Sequence, residues 1–316
     1  MLMEIHVAHT QGFCAGVAYA LNIVDLTLKK FGVPLYVRHE IVHNTSVIED
    51  YKSQGVIFID ELDEVPDNST VIFSAHGTAP HVFEEAKKRG LKYIDATCPL
   101  VTKVHRYADR FSQRNVQTVL IGHKGHQELI GTSGYVRQDL LHIVQNVSDV
   151  DNLNIDPQKP VGFLTQTTLS VQETGEIISK LREKYPHIEG ASKADICYAT
   201  TNRQNAVIEL AKVCDIVIIC GSPASSNSNR LRETAAKFDV PSYIIDFPND
   251  FDISLLKGKK RVGVSSGASV PQKIVDGLIL RIQDKYPNAT VHQKDSVEKD
   301  IEFPLPKSLK EQCQTA

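Results

Sequence analysis

The 316-residue chain has no C-x-x-C pair, which excludes a ferredoxin-type cysteine run and the usual zinc ribbon as local motifs. It has no G-x-x-x-x-G-K-[ST] run, which disfavours a nucleotide P-loop, and no flavin or nicotinamide fingerprint. Its longest apolar stretches, such as Val213 to Cys220, fall far short of the roughly 20 residues that a membrane span needs. Nor does the N-terminus carry a basic segment followed by a long apolar one. The expectation is a cytoplasmic, untargeted protein without a membrane partner. The formal net charge is −3, with Lys and Arg scattered among Asp and Glu, so no footprint for nucleic acid or an anionic membrane is present. Any anionic ligand must be small and locally held.

What is present is an ordinary globular composition, 41% hydrophobic and 23% charged, with material for two or three cores. The cysteines are Cys14, Cys98, Cys197, Cys214, Cys220 and Cys313. Their even number could suggest disulfides, but nothing marks the chain as secreted, so free thiols or a metal site are expected. Without a local pair, a metal site has to be assembled from distant segments.

Alignment on Cys14, Cys98 and Cys197 exposes a weak internal repeat with intervals longer than a solenoid unit, which implies whole α/β modules. In each, the cysteine opens a predicted helix: Ala15 to Lys30, Pro99 to Arg114 and Tyr198 to Val213. Pro99 suits a first helical position, where its missing N–H is no loss. Each helix is followed by an apolar strand (Pro34 to Arg38, Thr118 to Gly122, Asp215 to Cys220), a polar loop, a second helix and a short strand (Val56 to Ile59, Leu141 to Val144, Tyr243 to Ile245). A further strand then runs into a small polar loop and a helix: Val71 to Phe73, Val161 to Leu164 and Arg261 to Val264. Strand-like runs, Ile5 to Ala8 and Lys92 to Asp95, also precede Cys14 and Cys98. The expected fold is α/β, with three similar modules of parallel strands at residues 1–97, 98–196 and 197–282. Residues 283–316 are assigned as a surface-wrapping C-terminal extension. Parallel sheets place ligands beyond the carboxyl ends of their strands, where all the polar loops sit.

A lone cysteine is usually a small buried hydrophobe, the preferred reading for Cys214 and Cys220 beside the apolar strand. Cys313 lies in a polar tail as a spectator. Cys14, Cys98 and Cys197 differ because each stands at the same place in its module, where helix N–H groups stabilise a thiolate. Three such thiolates in one cavity would repel unless a cation or cluster sat among them. Zinc, with a fourth ligand from His43, His76 or His126, and an iron-sulfur cluster with one iron left open are both compatible with the spacing.

His43, His76 and His126 each fall at a strand end, and Thr167, Ser225, Asn227 and Ser269 occupy corresponding places. The alternative for any one such histidine is a helix cap alone. Together, neutral donors and helix N-termini can hold a phosphate without a basic patch. Glu128 follows His126 by two residues; as a surface residue it would be solvated, but in a closed pocket desolvation would raise its pKa and fit it to deliver a proton.

The segments Gly12-Phe13-Cys14-Ala15-Gly16-Val17, Val42-His43-Asn44, Ser74-Ala75-His76-Gly77, Asp95-Ala96-Thr97-Cys98-Pro99-Leu100-Val101, Gly122-His123-Lys124-Gly125-His126-Gln127-Glu128, Thr165-Gln166-Thr167-Thr168-Leu169-Ser170, Ile196-Cys197-Tyr198-Ala199-Thr200-Thr201-Asn202-Arg203-Gln204 and Ser225-Ser226-Asn227-Ser228-Asn229-Arg230 resemble the 4-hydroxy-3-methylbut-2-enyl diphosphate reductases. The resemblance covers nearly the whole chain and thins after about Tyr286. It implies a cloverleaf of three α/β modules around one [4Fe-4S] cluster per chain, which favours cluster over zinc. It implies the last step of the non-mevalonate isoprenoid route: reductive dehydroxylation of (E)-4-hydroxy-3-methylbut-2-enyl diphosphate to isopentenyl and dimethylallyl diphosphate at the open iron, with two electrons. Carried over by motif, Cys14, Cys98 and Cys197 would ligate the cluster, and His43, His76, His126, Ser225, Ser226, Asn227 and Ser269 would hold the diphosphate. Thr167 would position the substrate hydroxyl and Glu128 would feed its protons. A ferredoxin or flavodoxin is the expected electron donor. Gln11, where the family often has Arg, and Tyr135, where it often has Gln, are departures expected to touch only the cavity rim and surface. Two rivals are a zinc-dependent hydrolase of a phosphorylated metabolite and a non-catalytic sensor of one.

Overall fold

A computed structural model describes residues 2–156, 158–190, 195–294, 298, 301–306 and 309; Cys313 lies outside them. Strands and helices alternate from the start: β1 (Glu4–Val7), α1 (Ala15–Phe31), β2 (Leu35–Arg38), α2 (Thr45–Ser53), β3 (Val56–Ile59), β4 (Thr70–Phe73), α3 (Pro80–Lys88) and β5 (Lys92–Asp95). There follow α4 (Pro99–Gln113), β6 (Gln117–Ile121), α5 (Gln127–Ser133), β7 (Leu141–Val144), α6 (Val147–Asp151), β8 (Val161–Thr165) and α7 (Val171–Lys184). The last part holds α8 (Tyr198–Ala211), β9 (Ile216–Cys220), α9 (Ser226–Ala236), β10 (Ser242–Ile245), β11 (Arg261–Ser266), α10 (Gln272–Lys285) and β12 (Thr290–Gln293). The three predicted cysteine-led helices begin at the expected residues and end within two residues of the expected stops.

The strands form three sheets, ordered β10-β9-β11-β1-β12, β3-β2-β4-β5 and β7-β6-β8, and every pairing is parallel. The expected α/β class with three parallel sheets is therefore observed. Chain contacts divide the molecule into two compact units: Met1–Ala18, Val42–Tyr51 and Tyr198–Glu302 form one, and Tyr19–Ile41, Lys52–Cys197 and Phe303–Ala316 the other.

The first unit contains the five-stranded sheet. Its strand β9, between β10 and β11, is buried along its whole length, as the uninterrupted apolar run of a parallel strand covered on both faces should be. Ala206, Val207 and Leu210 of α8 and Leu231 and Ala235 of α9 cover one face against Val217 and Ile219. Ile274, Val275, Leu278 and Ile282 of α10 cover the other against Ile216, Ile218, Val262 and Val264. This sheet cuts across the sequential division expected from the repeat. β1 pairs with β11 and β12, not with β2 to β5, and residues past 283 supply the edge strand β12. The reason is burial: Ile5 and Val7 of β1 complete the core made by Val262, Val264 and α10.

The second unit holds the other two sheets. In the three-stranded sheet, Val104, Ala108 and Phe111 of α4 and Leu129 of α5 pack on Leu120 and Leu164, while Ile177, Ile178 and Leu181 of α7 pack on the opposite side with Val119, Ile121 and Phe163. In the four-stranded sheet, Val82 and Ala86 of α3 cover Val71 and Phe73.

One buried charge is built into the first unit. Arg203 of α8 is fully buried on the face shared with Ala199, Ala206 and Leu210. Its guanidinium donates to the Glu298 carboxylate at 3.0 Å, to the Ala199 carbonyl at 3.1 Å and to the Gly12 carbonyl at 2.8 Å. The Gly12 bond fixes the turn two residues ahead of Cys14. Removing one member of a buried pair leaves the other charged and unmatched, at a cost of about 3–5 kcal/mol. Arg203→Met should lower the urea unfolding free energy by that amount, and Arg203→Met combined with Glu298→Gln should recover part of it; equal losses in single and double variants would remove the ion pair as the cause.

Candidate active site

Each of the three repeated cysteines sits immediately before a helix, and its backbone is tied to a loop at the carboxyl end of a parallel strand. Cys14 N–H donates to the Ala268 carbonyl at 3.0 Å, beside Ser269 in the loop after β11. Cys98 N–H donates to Ala75 at 3.0 Å, beside His76 in the loop after β4, and Cys197 N–H donates to Thr167 at 3.1 Å in the loop after β8. The same tie occurs three times in three places. It couples every thiol to one of the loops expected to hold an anion.

The three thiols lie outside any disulfide and are half-buried. Cys14 Sγ accepts the Val17 N–H at 3.4 Å, as a sulfur at a helix start should. Cys98 is the N-cap residue of α4, with Pro99 in the first turn. Cys214 and Cys220 are buried in the first unit's core, and desolvation pushes both thiols up to about 12, which makes them inert as ligands. Among the described residues no three His, Cys, Asp or Glu side chains converge as a single metal ion requires.

Among the described carboxylates the most deeply buried is Glu128, 3% exposed in the first turn of α5. Its Oε1 accepts the Thr167 N–H at 2.6 Å and its Oε2 accepts the Thr167 hydroxyl at 2.9 Å. Desolvation pushes its carboxyl up to about 7, outweighing the downward pull of the Thr167 hydrogen bonds; the nearby Asp195 charge adds a smaller upward push. The expected desolvated acid is thus present, with its bonding to Thr167 now visible.

His126 caps the same helix. Its Nδ1 accepts the Glu128 N–H at 3.1 Å, so the neutral ring keeps its proton on Nε2 and offers that N–H as a donor. The His76 ring lies 6.0 Å from it at 84°, edge to face, with Ser74 Oγ 3.3 Å from its Nδ1. Close backbone packing permits this approach. Gly77 has φ +94°, and a Cβ there would strike the His105 ring; a Cβ on Gly131 of α5 would come within 2.9 Å of the Gly77 carbonyl.

In the first unit, Ser225 is the N-cap of α9, its Oγ accepting the Ser228 N–H at 3.3 Å. Ser226 is half-buried in the first turn. Asn227 is buried, and both its amide nitrogen and its amide oxygen lack a hydrogen-bond partner among the described residues. An unpaired buried polar group costs about 1–3 kcal/mol, which a hydrogen-bonding ligand would remove. Ser269 is buried and its hydroxyl donates to the His43 carbonyl at 2.9 Å, which brings those two expected residues together through a backbone rather than a side-chain contact.

The contacts of two residues of this region were not legible in the sequence. Arg203 was signalled only by a charge on the buried face of α8. Tyr135 does not lie merely at a rim or surface: it stacks on His105 with ring centroids 4.4 Å apart and donates to the Thr78 carbonyl at 3.3 Å, under the His76 loop. Gln11, the other departure, buries an Oε1 that has no partner.

Parallel sheets whose strand-end loops carry thiols, imidazoles and hydroxyls, with a buried carboxylic acid beside one of them, are the layout of an α/β enzyme. The LytB protein family profile matches residues 5–283. The 4-hydroxy-3-methylbut-2-enyl diphosphate reductase of Actinobacillus pleuropneumoniae serotype 7 (strain AP76) is 48% identical over 310 residues, covering 98% of each chain. That of Azoarcus sp. (strain BH72) is 49% identical over 309 residues, again covering 98% of each. The solved E-1-hydroxy-2-methyl-but-2-enyl-4-diphosphate reductase of Plasmodium falciparum superposes with a TM-score of 0.95 at 38% identity, over 99% of both chains. The chain belongs to the LytB family, and it is an oxidoreductase of the 4-hydroxy-3-methylbut-2-enyl diphosphate reductase kind.

The raised Glu128 pKa fixes a pH dependence. Its folded value lies above its unfolded one, so the burial penalty is absent below about pH 4.5, grows as pH rises, and is complete above about pH 7. Glu128→Gln cannot ionise. Its stability relative to the parent should therefore shift in its favour by about 3 kcal/mol between pH 4.5 and pH 8. Urea titrations at several pH values would read this, and a pH-independent difference would contradict the burial-driven shift.

Proposed function

We propose that this chain reductively removes the hydroxyl of (E)-4-hydroxy-3-methylbut-2-enyl diphosphate, giving isopentenyl and dimethylallyl diphosphate, in the cytoplasm. The observation that carries the reading is the closed Glu128–Thr167 pair, because Thr167 also accepts the Cys197 N–H through its carbonyl. An acid near neutrality and the backbone of a cysteine are both tied to Thr167, whose hydroxyl can relay the acid's proton. The family relationship supplies the substrate.

Cys14, Cys98 and Cys197 would hold one [4Fe-4S] cluster per chain, each from one of the three sheet-and-helix modules. The donor set fits: three half-buried thiols, each at a helix start, are soft ligands of the kind iron takes in such clusters. When bound, such a cluster supplies low-potential electrons and one iron without a protein ligand. The electrons would come from a ferredoxin or flavodoxin.

His76 and His126 Nε2, His43, Ser225, Ser226, Asn227 and Ser269 bind the diphosphate in this reading. Asn227 gains the partners that its buried amide lacks, and Ser269 turns its hydroxyl from the His43 carbonyl to the anion. Thr167 orients the allylic hydroxyl. Protonated Glu128 donates from Oε2 to Thr167 Oγ1, reversing the hydrogen bond of the ionised form, and Thr167 passes its own proton to the departing oxygen. The C–O bond breaks, water leaves, and two electrons and a second proton complete the new C–H bond.

Glu128→Gln keeps the size of the side chain but has no proton to give. Anaerobic turnover with dithionite-reduced methyl viologen should fall by roughly two to four orders of magnitude, with iron and sulfide content unchanged. Near-normal turnover would assign the proton to another source. Cys14→Ser, Cys98→Ser and Cys197→Ser should each lose iron and sulfide because oxygen replaces thiolate poorly at iron, whereas Cys214→Ala and Cys220→Ala should retain both. Stoichiometric zinc with no sulfide would favour the hydrolase instead.

A further inference from the structure

Helix α4 starts at Cys98 and carries an exposed basic stripe. Lys103, Arg106 and Arg110 are exposed at spacings of three and four residues, hence on one face, opposite buried Val104, Ala108 and Phe111. Tyr107 sits exposed among them, with Lys103 Nζ 5.9 Å and Arg110 Cζ 6.0 Å from its ring centroid. Among the described residues, none of these three cations forms an ion pair or a side-chain hydrogen bond with a carboxylate. Arg114 continues the row but is held by Glu189, its two terminal nitrogens 2.9 and 2.8 Å from the carboxylate oxygens. The other nearby carboxylates are few. Asp109 points off the stripe and accepts from Gln113 at 2.8 Å, and Asp195 is close enough to feel the Lys103 charge.

A net positive row is unusual on a chain whose formal charge is −3. It runs along the helix that Cys98 starts. With a rise of 1.5 Å per residue, Lys103 stands about 8 Å and Arg110 about 18 Å along the axis from Cys98. Exposed cations without a carboxylate ion-pair partner among the described residues raise the local potential and steer an anionic partner to this helix.

We propose that this face of α4 is the docking surface for a small acidic one-electron carrier protein. The inference rests on the reductase reading, which needs two electrons that the chain itself cannot supply. Two reduced carriers each give up one electron here; the substrate gains both with two protons, its C–O bond is replaced by C–H, and water leaves. Transient redox complexes bury little surface and are selected by charge, which a short stripe with one central aromatic suits.

The test uses the cluster-loaded enzyme with Lys103→Gln, Arg106→Gln and Arg110→Gln combined. All three side chains are exposed and Gln is a good helix former, so iron content and thermal unfolding should match the parent. The KM for a reduced acidic ferredoxin should rise about tenfold or more at low salt, and its salt dependence should flatten. Binding of oxidised ferredoxin, read by calorimetry, should weaken equally. Turnover with dithionite-reduced methyl viologen should not change. A control with Lys87→Gln and Lys88→Gln on α3 should behave as the parent. An unchanged ferredoxin KM in the triple variant, or an equal rise in the α3 control, overturns the docking surface. If the parent shows no turnover with methyl viologen, the reductase reading itself fails, whatever the stripe does.

Discussion

Three hydrogen bonds from cysteine N–H groups to carbonyls beyond strand ends set where the thiols stand. Each ties the start of a helix to the loop beyond a parallel strand within its own unit. Parallel strands make this possible because all their carboxyl ends face the same way within a sheet. A cysteine placed one residue later in its helix would turn its side chain about 100° away and lose the tie. The strand ends, helix starts and loop lengths are therefore mutually constrained. The repeat in the sequence reflects that constraint more than any likeness of side chains.

Glu128 lives under opposing influences. Burial drives its carboxyl towards the neutral form, and two hydrogen bonds from Thr167 favour the charged form. Neither wins outright. The result is an acid that titrates near neutrality while keeping the same partner in both states, since Thr167 Oγ1 can donate to a carboxylate or accept from a carboxylic acid. The hydrogen-bond geometry survives the proton's departure. That is what a reusable acid requires.

Much of this was legible in the chain. Alternating apolar runs and polar loops located the cysteine-led helices within two residues, because Pro99 and the polar strand ends leave local marks. Glu128 was legible as a carboxylate next to a capping histidine. Sheet membership was not: β1 and β12 are four-residue strands whose partners lie far away in sequence, and nothing local distinguishes one parallel neighbour from another. Arg203 was hidden for a related reason. Its helix is rich in small and polar residues, so a buried charge did not stand out from an amphipathic pattern. Tyr135 was visible as an unusual residue, but only tertiary packing puts it against His105.

The pairing of β1 with β11 and β12 also dictates an order of events during synthesis. Residues 4–7 leave the ribosome long before their strand partners among the described residues, 261–266 and 290–293, and the turn before Cys14 waits on Arg203 and Glu298. The strands around Cys98 find their neighbours much earlier, within residues 35–95. Domains can fold while a chain is still growing, but this sheet cannot close until nearly all of it has emerged. Cys14 is made before Cys98 and Cys197 but is set in place after Cys98. A translation that stops before β11 yields a product with the strands of the second unit built and Cys14 adrift.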